Sequence, residues 1–231
     1  FAQERALNML RRDWKAYESF MMYMPTGSGK TGLAAFVADG LVSRGMRVLF
    51  VAPYTILINQ TAQRFAQYGL PEDQISFIWR DHPNYDPSLQ IQIASADTLI
   101  LREFPQDIDL LIIDEAHLRK RRILKEIERI TTETKAKVIG LSGTPFSPFL
   151  GNYYQRLIKP TTIGELIQRG DLSNYEFYAP TKPDLKGVKT KASMEYGSDY
   201  DEAQLAEIMC GSDLVGDIVD NWLRNGRDLP T

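Results

Sequence analysis

The chain has 231 residues, 43% of them hydrophobic and 25% charged, which excludes a mostly disordered chain and leaves ample material for a packed core. Lys plus Arg number 27 against 30 Asp plus Glu, a net charge of −3, so a globally basic nucleic-acid binder is excluded while a local basic track is not. One cysteine, Cys210, and two histidines, His82 and His117, exclude a disulfide framework within the chain and all but exclude a Cys/His zinc cluster.

Residues 19–24 form a short apolar run that ends at Pro25 and a Gly-rich turn. Residues 30–43 follow, with Leu33, Phe36, Val37 and Leu41 at helical spacing. Residues 47–52 are continuously apolar, the mark of a strand buried on both faces. Residues 55–67 predict a helix with Ile58, Ala62, Phe65 and Ala66 on one side. Short β-rich runs come at 75–79 and 91–95, and a buried strand at 109–114. Residues 122–130 carry Ile123, Leu124, Ile127 and Ile130 on one helical face, and 137–141 end the series. Strands alternating with helices imply right-handed crossovers, hence an α/β fold with a mostly parallel sheet and helices on both faces.

After about residue 150 the pattern changes. Thr162 with Glu165 three positions later predicts a capping box for a short helix ending near Gly170. Residues 175–179 are a candidate strand, and 183–200 read as a polar loop or linker. Leu214, Val215, Ile218, Val219, Trp222 and Leu223 predict an amphipathic helix, with Gly226 at its stop.

Met24 to Thr31 lie between a strand and a helix, the context a phosphate-binding loop requires. Gly27 and Gly29 let the segment Pro25, Thr26, Gly27, Ser28, Gly29, Lys30 and Thr31 wrap closely, so that successive N–H groups face an anion. The following helix adds its positive end. Lys30 would reach the β- and γ-phosphates, and the Thr31 hydroxyl would ligate magnesium. Asp114, Glu115 and His117 follow the apolar strand at 109–114, and in a parallel sheet that strand end can face the loop. Asp114 would then hold the magnesium ion and Glu115 would polarise the attacking water. The competing reading is an acidic helix start.

This set resembles the first RecA-like motor domain of superfamily 2 helicases, of the DEAD/DEAH type. Residues 25–31 match motif I, with a Met at the preceding position. Pro53 to Gln60 resembles motif Ia, Ala94 to Leu99 motif Ib, Asp114 to His117 motif II in its DEAH form, and Ser142-Gly-Thr144 motif III. The Met-Pro-Thr opening and the Thr-Pro-Phe ending are similar to phage and bacterial DNA helicases of the restriction-motor and repair-helicase branch. The resemblance implies ATP and Mg2+ as cofactors, with Gln3 at the adenine and His117, Ser142 and Thr144 coupling the site to movement. It also implies nucleic-acid contacts at Pro53, Tyr54, Thr55, Asp97 and Thr98, with DNA as substrate and RNA as the alternative. An ATP-binding switch without translocation is the rival of a different class.

The implied domains are 1–150 for the first RecA-like domain, 151–200 for a connecting segment, and 201–231 for the truncated start of a second RecA-like domain that completes the enzyme in cis. Motifs IV to VI, with their arginine finger, are expected beyond Thr231. The first residue is Phe1 rather than Met, so the start reads as a cut end. No apolar run approaches the ~18 residues of a membrane span, and no signal peptide is legible, so a cytoplasmic protein without a membrane partner is expected, and the resemblance implies a bacterial or phage origin. Arg119, Lys120, Arg121, Arg122 and Lys125 read first as a solvated helix start, with a nucleic-acid contact as the alternative. Tyr54 is expected half-buried, His82 in an exposed turn, and Cys210 as a small core residue.

Overall fold

The structure, a computed structural model, describes residues 1–80, 82–175, 184–191, 199–210 and 212–226. The chain divides into two compact units, Phe1–Ser173 and Asn174–Thr231. In the first, seven strands form one sheet: β1 (Ser19–Tyr23), β2 (Val48–Ala52), β3 (Ile75–Ile78), β4 (Ile91–Ser95), β5 (Leu110–Ile113), β6 (Lys137–Ser142) and β7 (Arg156–Ile158). Their order is β3-β4-β2-β5-β6-β1-β7, and every neighbouring pair is parallel. All the strands therefore end at one edge, and the loops that follow them share it.

Alternation along each strand feeds two cores. Phe20, Met22, Val48, Phe50, Ile75, Phe77 and Ile112 point to one face. They pack there with Ala6 and Leu10 of α1 (Ala2–Asp13), Leu33 and Ala34 of α2 (Lys30–Val42), and Ile58 and Phe65 of α3 (Ile56–Gln67). Met21, Leu49, Val51, Leu111 and Ile113 point to the other, against Leu99 of α4 (Ala96–Leu101) and Ile123, Leu124, Ile127 and Ile130 of α5 (Arg121–Glu133). Each aliphatic side chain so buried contributes about 1.5–3 kcal/mol, which is why continuous apolar runs become central strands.

Several expectations change. Phe36 lies 57% exposed, because Leu33, Ala34, Ala35 and Ala38 already fill the buried face of α2. Ala66 is exposed and Thr61 takes the inner position on α3. The sequence pattern does not predict helix α1 or strand β7. Strand β7 extends the sheet beyond residue 150, pairing Phe20 with Arg156 and Met22 with Ile158. The capping box of α6 (Ile163–Gln168) is present, with Thr162 Oγ1 accepting from Glu165 N at 3.1 Å and Glu165 Oε2 accepting from Thr162 N at 3.0 Å.

In the second unit, Thr190–Lys191 and Asp199–Tyr200 form a two-residue antiparallel ladder, which we label β8 and β9, within the stretch that reads as loop. Helix α7 (Glu202–Met209), also outside the predicted elements, is capped by Asp201, which accepts from Gln204 N at 3.1 Å. Helix α8 (Ser212–Asn225) follows the amphipathic pattern, and Val219, Trp222 and Leu223 are each about half exposed on it. Cys210 is exposed just past α7 rather than in a core, because no residue of that helix is buried. The candidate strand at 175–179 falls outside the described residues apart from Tyr175.

Candidate active site

The loop after β1 turns on two glycines at positive φ, Gly27 at +81° and Gly29 at +83°. Ser28 is buried at the apex, its Oγ donating to the Pro25 carbonyl at 2.6 Å and its N–H to the same oxygen at 3.0 Å. Gly29 is the N-cap of α2 and brings no side-chain acceptor, and the first turn of α2 carries no acidic residue. The helix N-terminus thus keeps its donors and its positive end for an anion. A Cβ on Gly29 would lie 2.1 Å from Gln3 Nε2, so the Gln3 amide of α1 rests on the loop. A Cβ on Gly27 would lie 2.7 Å from Leu172 Cδ2, and no spacing rule could reveal an approach between residues so far apart in the chain. The cradle fits phosphate oxygens and resists any side chain larger than glycine.

β5 delivers the acidic pair to the same edge. Asp114 N–H donates to the Val51 carbonyl at 2.9 Å, and Ala116 N–H to the Leu141 carbonyl at 3.0 Å, so the acidic turn is stitched to β2 and β6. Between these ties Glu115 sits at φ +47°, a left-handed conformation that costs a non-glycine residue about 1–3 kcal/mol. Its side chain meets Lys30, with Nζ 2.6 Å from Oε1. Its other oxygen is 3.3 Å from His117 Nδ1, which lies 2.9 Å from Ser142 Oγ. Ser142 Oγ also accepts from Thr144 N at 3.0 Å, and Met24 N–H donates to the Ser142 carbonyl at 2.8 Å. Lys30, Glu115, His117, Ser142 and Thr144 therefore form one connected chain across β1, β6 and β5. Burial pushes the Asp114 carboxyl above the usual carboxylate range, with Lys30 opposing and Glu115 adding to the rise. A nearby cation would relieve that burden. Thr31 and Asp114 are each chain neighbours of the Lys30–Glu115 pair and stand at the same strand edge.

The remaining candidates lie farther along that edge. Strand order places Pro53, Tyr54 and Thr55 after β2 and Asp97 and Thr98 after β4, on the side of the acidic pair away from the phosphate loop. Pro53, Ala96, Asp114, Glu115 and Lys120 line one small pocket. Lys120 is no solvated residue of a helix start but the link along this edge: its Nζ is 2.8 Å from Asp97 Oδ1 and 5.6 Å from the centroid of the Tyr54 ring. Tyr54 is 44% exposed. His82 is half-buried rather than exposed, tilted against Phe77 at 4.6 Å between ring centroids. Thr144 and Thr26 are exposed, while Pro25 and Pro53 are buried.

Residues 2–147 match the family described as "Type III restriction enzyme, res subunit". Among curated relatives, a "51.5 kDa protein" of Lactococcus phage (isolate 7-9) is 23% identical over 210 residues, covering 90% of this chain and 41% of the relative. The "ATP-dependent DNA helicase MPH1" of Candida albicans is 22% identical over 212 residues, covering 83% of this chain and 16% of that protein. The chain thus spans less than half the length of these relatives. Among solved structures, the UvsW helicase of bacteriophage T4 aligns with a TM-score of 0.53 at 20% identity, over 62% of this chain and 55% of that one. The type ISP restriction-modification enzyme LlaGI aligns with a TM-score of 0.53 at 17% identity, over 74% of this chain and 20% of that one. Among the described residues no helix is long and apolar enough to cross a membrane. The chain belongs to the res-subunit family of type III restriction enzymes, and its parallel sheet has the RecA-like fold of superfamily 2 helicases.

Proposed function

We propose that this chain supplies the first motor domain of an ATP-dependent DNA helicase or translocase. The observation that carries the reading is the 2.6 Å contact between Lys30 and Glu115, which joins the phosphate loop and the acidic pair in one site. Gly27, Ser28, Gly29, Lys30 and Thr31 would cradle the phosphates, with Gln3 beside them toward the base. Thr31 and Asp114 would hold the metal. Magnesium-ATP, when bound, supplies the phosphoryl group and the charge that shields it. Lys30 serves Glu115 before nucleotide arrives. With a phosphate group bound, Lys30 would turn its ammonium to it and leave the Glu115 carboxylate to accept a proton from the attacking water. His117 and Ser142 carry the position of Glu115 to Thr144 and the edge beyond it.

Pro53, Tyr54, Thr55, Asp97 and Thr98 would hold one nucleic-acid strand through its backbone, which makes binding salt-dependent and largely independent of sequence. DNA is preferred over RNA because relatives and fold neighbours are described as DNA enzymes: a DNA helicase, LlaGI "in complex with a DNA substrate mimic", and a Sulfolobus solfataricus SWI2/SNF2 core "in complex with dsDNA". Residues beyond 173 would lead toward a second RecA-like domain in cis. The deciding experiment is an ATPase assay of the full-length protein with no nucleic acid, with DNA and with RNA. DNA stimulation is expected. Stimulation by RNA in its place would make the protein an RNA helicase, and ATP binding with neither effect would leave a nucleotide switch.

A further inference from the structure

Arg80, Arg102, Arg121 and Arg122 gather at the carboxyl edge of the sheet, at the end remote from the phosphate loop. They come from three places: the turn after β3, the end of α4 and the first turn of α5. Arg102 Nη2 donates to the Arg80 carbonyl at 2.6 Å, and Arg122 Nη2 donates to the Arg102 carbonyl at 3.2 Å. Arg80 is held at φ +47°. Arg80, Arg121 and Arg122 are exposed, and no carboxylate among the described residues pairs with them. Leu101 stands beside them with 85% of its surface exposed. Among the described residues Glu103 is an exposed acid of this neighbourhood, and Asp97 is paired with Lys120. In a chain of net charge −3 this is a local reversal of sign.

The placement also works against the helix that carries it. Arg121 and Arg122 occupy the positive end of α5, its first turn holds no acidic residue, and its N-cap Lys120 offers no side-chain acceptor. A helix start selected for solvation and stability would show the opposite charges. Departures from local rules of this kind mark places kept for function. Distance keeps Arg80 from the nucleotide, and Arg102 and Arg122 are hydrogen-bonded toward Arg80. β3 lies five strand positions from β1 in the sheet order, roughly 24 Å at about 4.8 Å per strand. The cluster instead borders the Tyr54–Lys120–Asp97 contact.

We infer that the arginine cluster is a second phosphate-binding patch, for the backbone of a nucleic acid that continues past the strand held near Tyr54 and Asp97. The inference rests on the functional reading above. Guanidinium forks match phosphate oxygens in pairs, and an exposed leucine beside them suits a sugar or base edge.

The test uses the full-length protein carrying Arg80→Asn, Arg121→Gln and Arg122→Gln. Asparagine tolerates the positive φ at position 80. Two probes are titrated over a salt series: a single strand just long enough for the Tyr54–Asp97 track, and a longer one that continues into duplex. On the longer probe the variant's salt slope should shrink by about 0.7–0.9 for each phosphate that is no longer neutralised. On the short probe binding should match the parent, as should ATP hydrolysis without nucleic acid. The melting temperature should hold or rise, because two cations leave a positive helix end. An unchanged slope on the longer probe, or an equal loss on both probes, overturns the inference while leaving the motor reading intact. A parent that nucleic acid does not stimulate overturns both.

Discussion

Lys30 and Glu115 neutralise one another across the cleft, so their variants separate binding from chemistry. Lys30→Ala should abolish tight ATP binding, since the charge facing the β- and γ-phosphates is gone. Glu115→Gln should bind ATP and fail to turn it over, since an amide cannot take the water's proton. Nucleotide-binding titrations beside steady-state turnover check both, and a Glu115→Gln protein with parental turnover would refute its assignment as the base. The types of these residues are readable from Gly-x-Gly-Lys-Thr and Asp-Glu-Ala-His, because that chemistry needs those groups in order along the chain. The strained backbone of Glu115 is not readable, because it arises from hydrogen bonds to β2 and β6 that spacing does not encode. Tyr154 gives a purely structural counterpart. Its hydroxyl is buried without a partner against Gly140, and burial raises its pKa. An unsatisfied buried hydroxyl costs about 1–3 kcal/mol. Tyr154→Phe should therefore melt at or above the parent's temperature, and a lower melting point would reveal a partner for the hydroxyl.

Elements are legible where burial is two-sided or strongly periodic. The central strands β2 and β5 are continuous apolar runs, and α5 presents Ile123, Leu124, Ile127 and Ile130 on one stripe. Helix α1 escapes a sequence reading because its buried stripe is Ala2, Ala6, Leu10 and Asp13, small and partly polar. Strand β7 escapes because it is three residues long and only Ile158 is buried. Those two elements hold each other. Asp13 Oδ2 accepts from Arg156 Nε at 2.7 Å, while Oδ1 accepts from Arg12 Nε at 2.7 Å. The Arg12 hydrogen bond, helped by Arg156, draws the Asp13 carboxyl down from 3.8 to about 2. A depressed carboxylate pKa stabilises the folded state above the unfolded value and loses that contribution as pH falls through the folded one. Asp13→Asn should therefore be less stable than the parent at neutral pH, with the gap closing between about pH 4 and pH 2. Urea unfolding at stepped pH measures it, and a gap that stays constant would show that the ion pair contributes nothing. Since Gln3 of α1 rests on Gly29, the same variant should also weaken ATP binding if α1 shifts.

At the scale of the molecule, seven parallel strands put phosphate loop, acidic pair and candidate nucleic-acid track on one edge in spatial order. Hydrolysis also needs a cation for the charge that develops on the transferring phosphoryl group. Among the described residues no arginine pairs with Lys30's partner Glu115 or with Asp114; Arg5 is engaged by Glu165, and the arginine cluster lies at the far end of the sheet. An arginine finger is worth about 10³ to 10⁵ in rate in P-loop enzymes. The matched residues span 41% of the phage relative, and under the proposed function a second domain in cis would supply one. We therefore expect the 231-residue chain by itself to bind ATP weakly, with one side of the cleft open to water, to hydrolyse it slowly, and not to unwind DNA, because translocation needs two domains that close and open on the strand. ATPase assays of the chain and of the full-length protein, each with and without single-stranded DNA, make the comparison. Vigorous DNA-stimulated turnover by the 231 residues would mean that the transition-state cation is already within them, and the first candidates would be Arg5 and Arg169, which flank Phe1 near the phosphate loop.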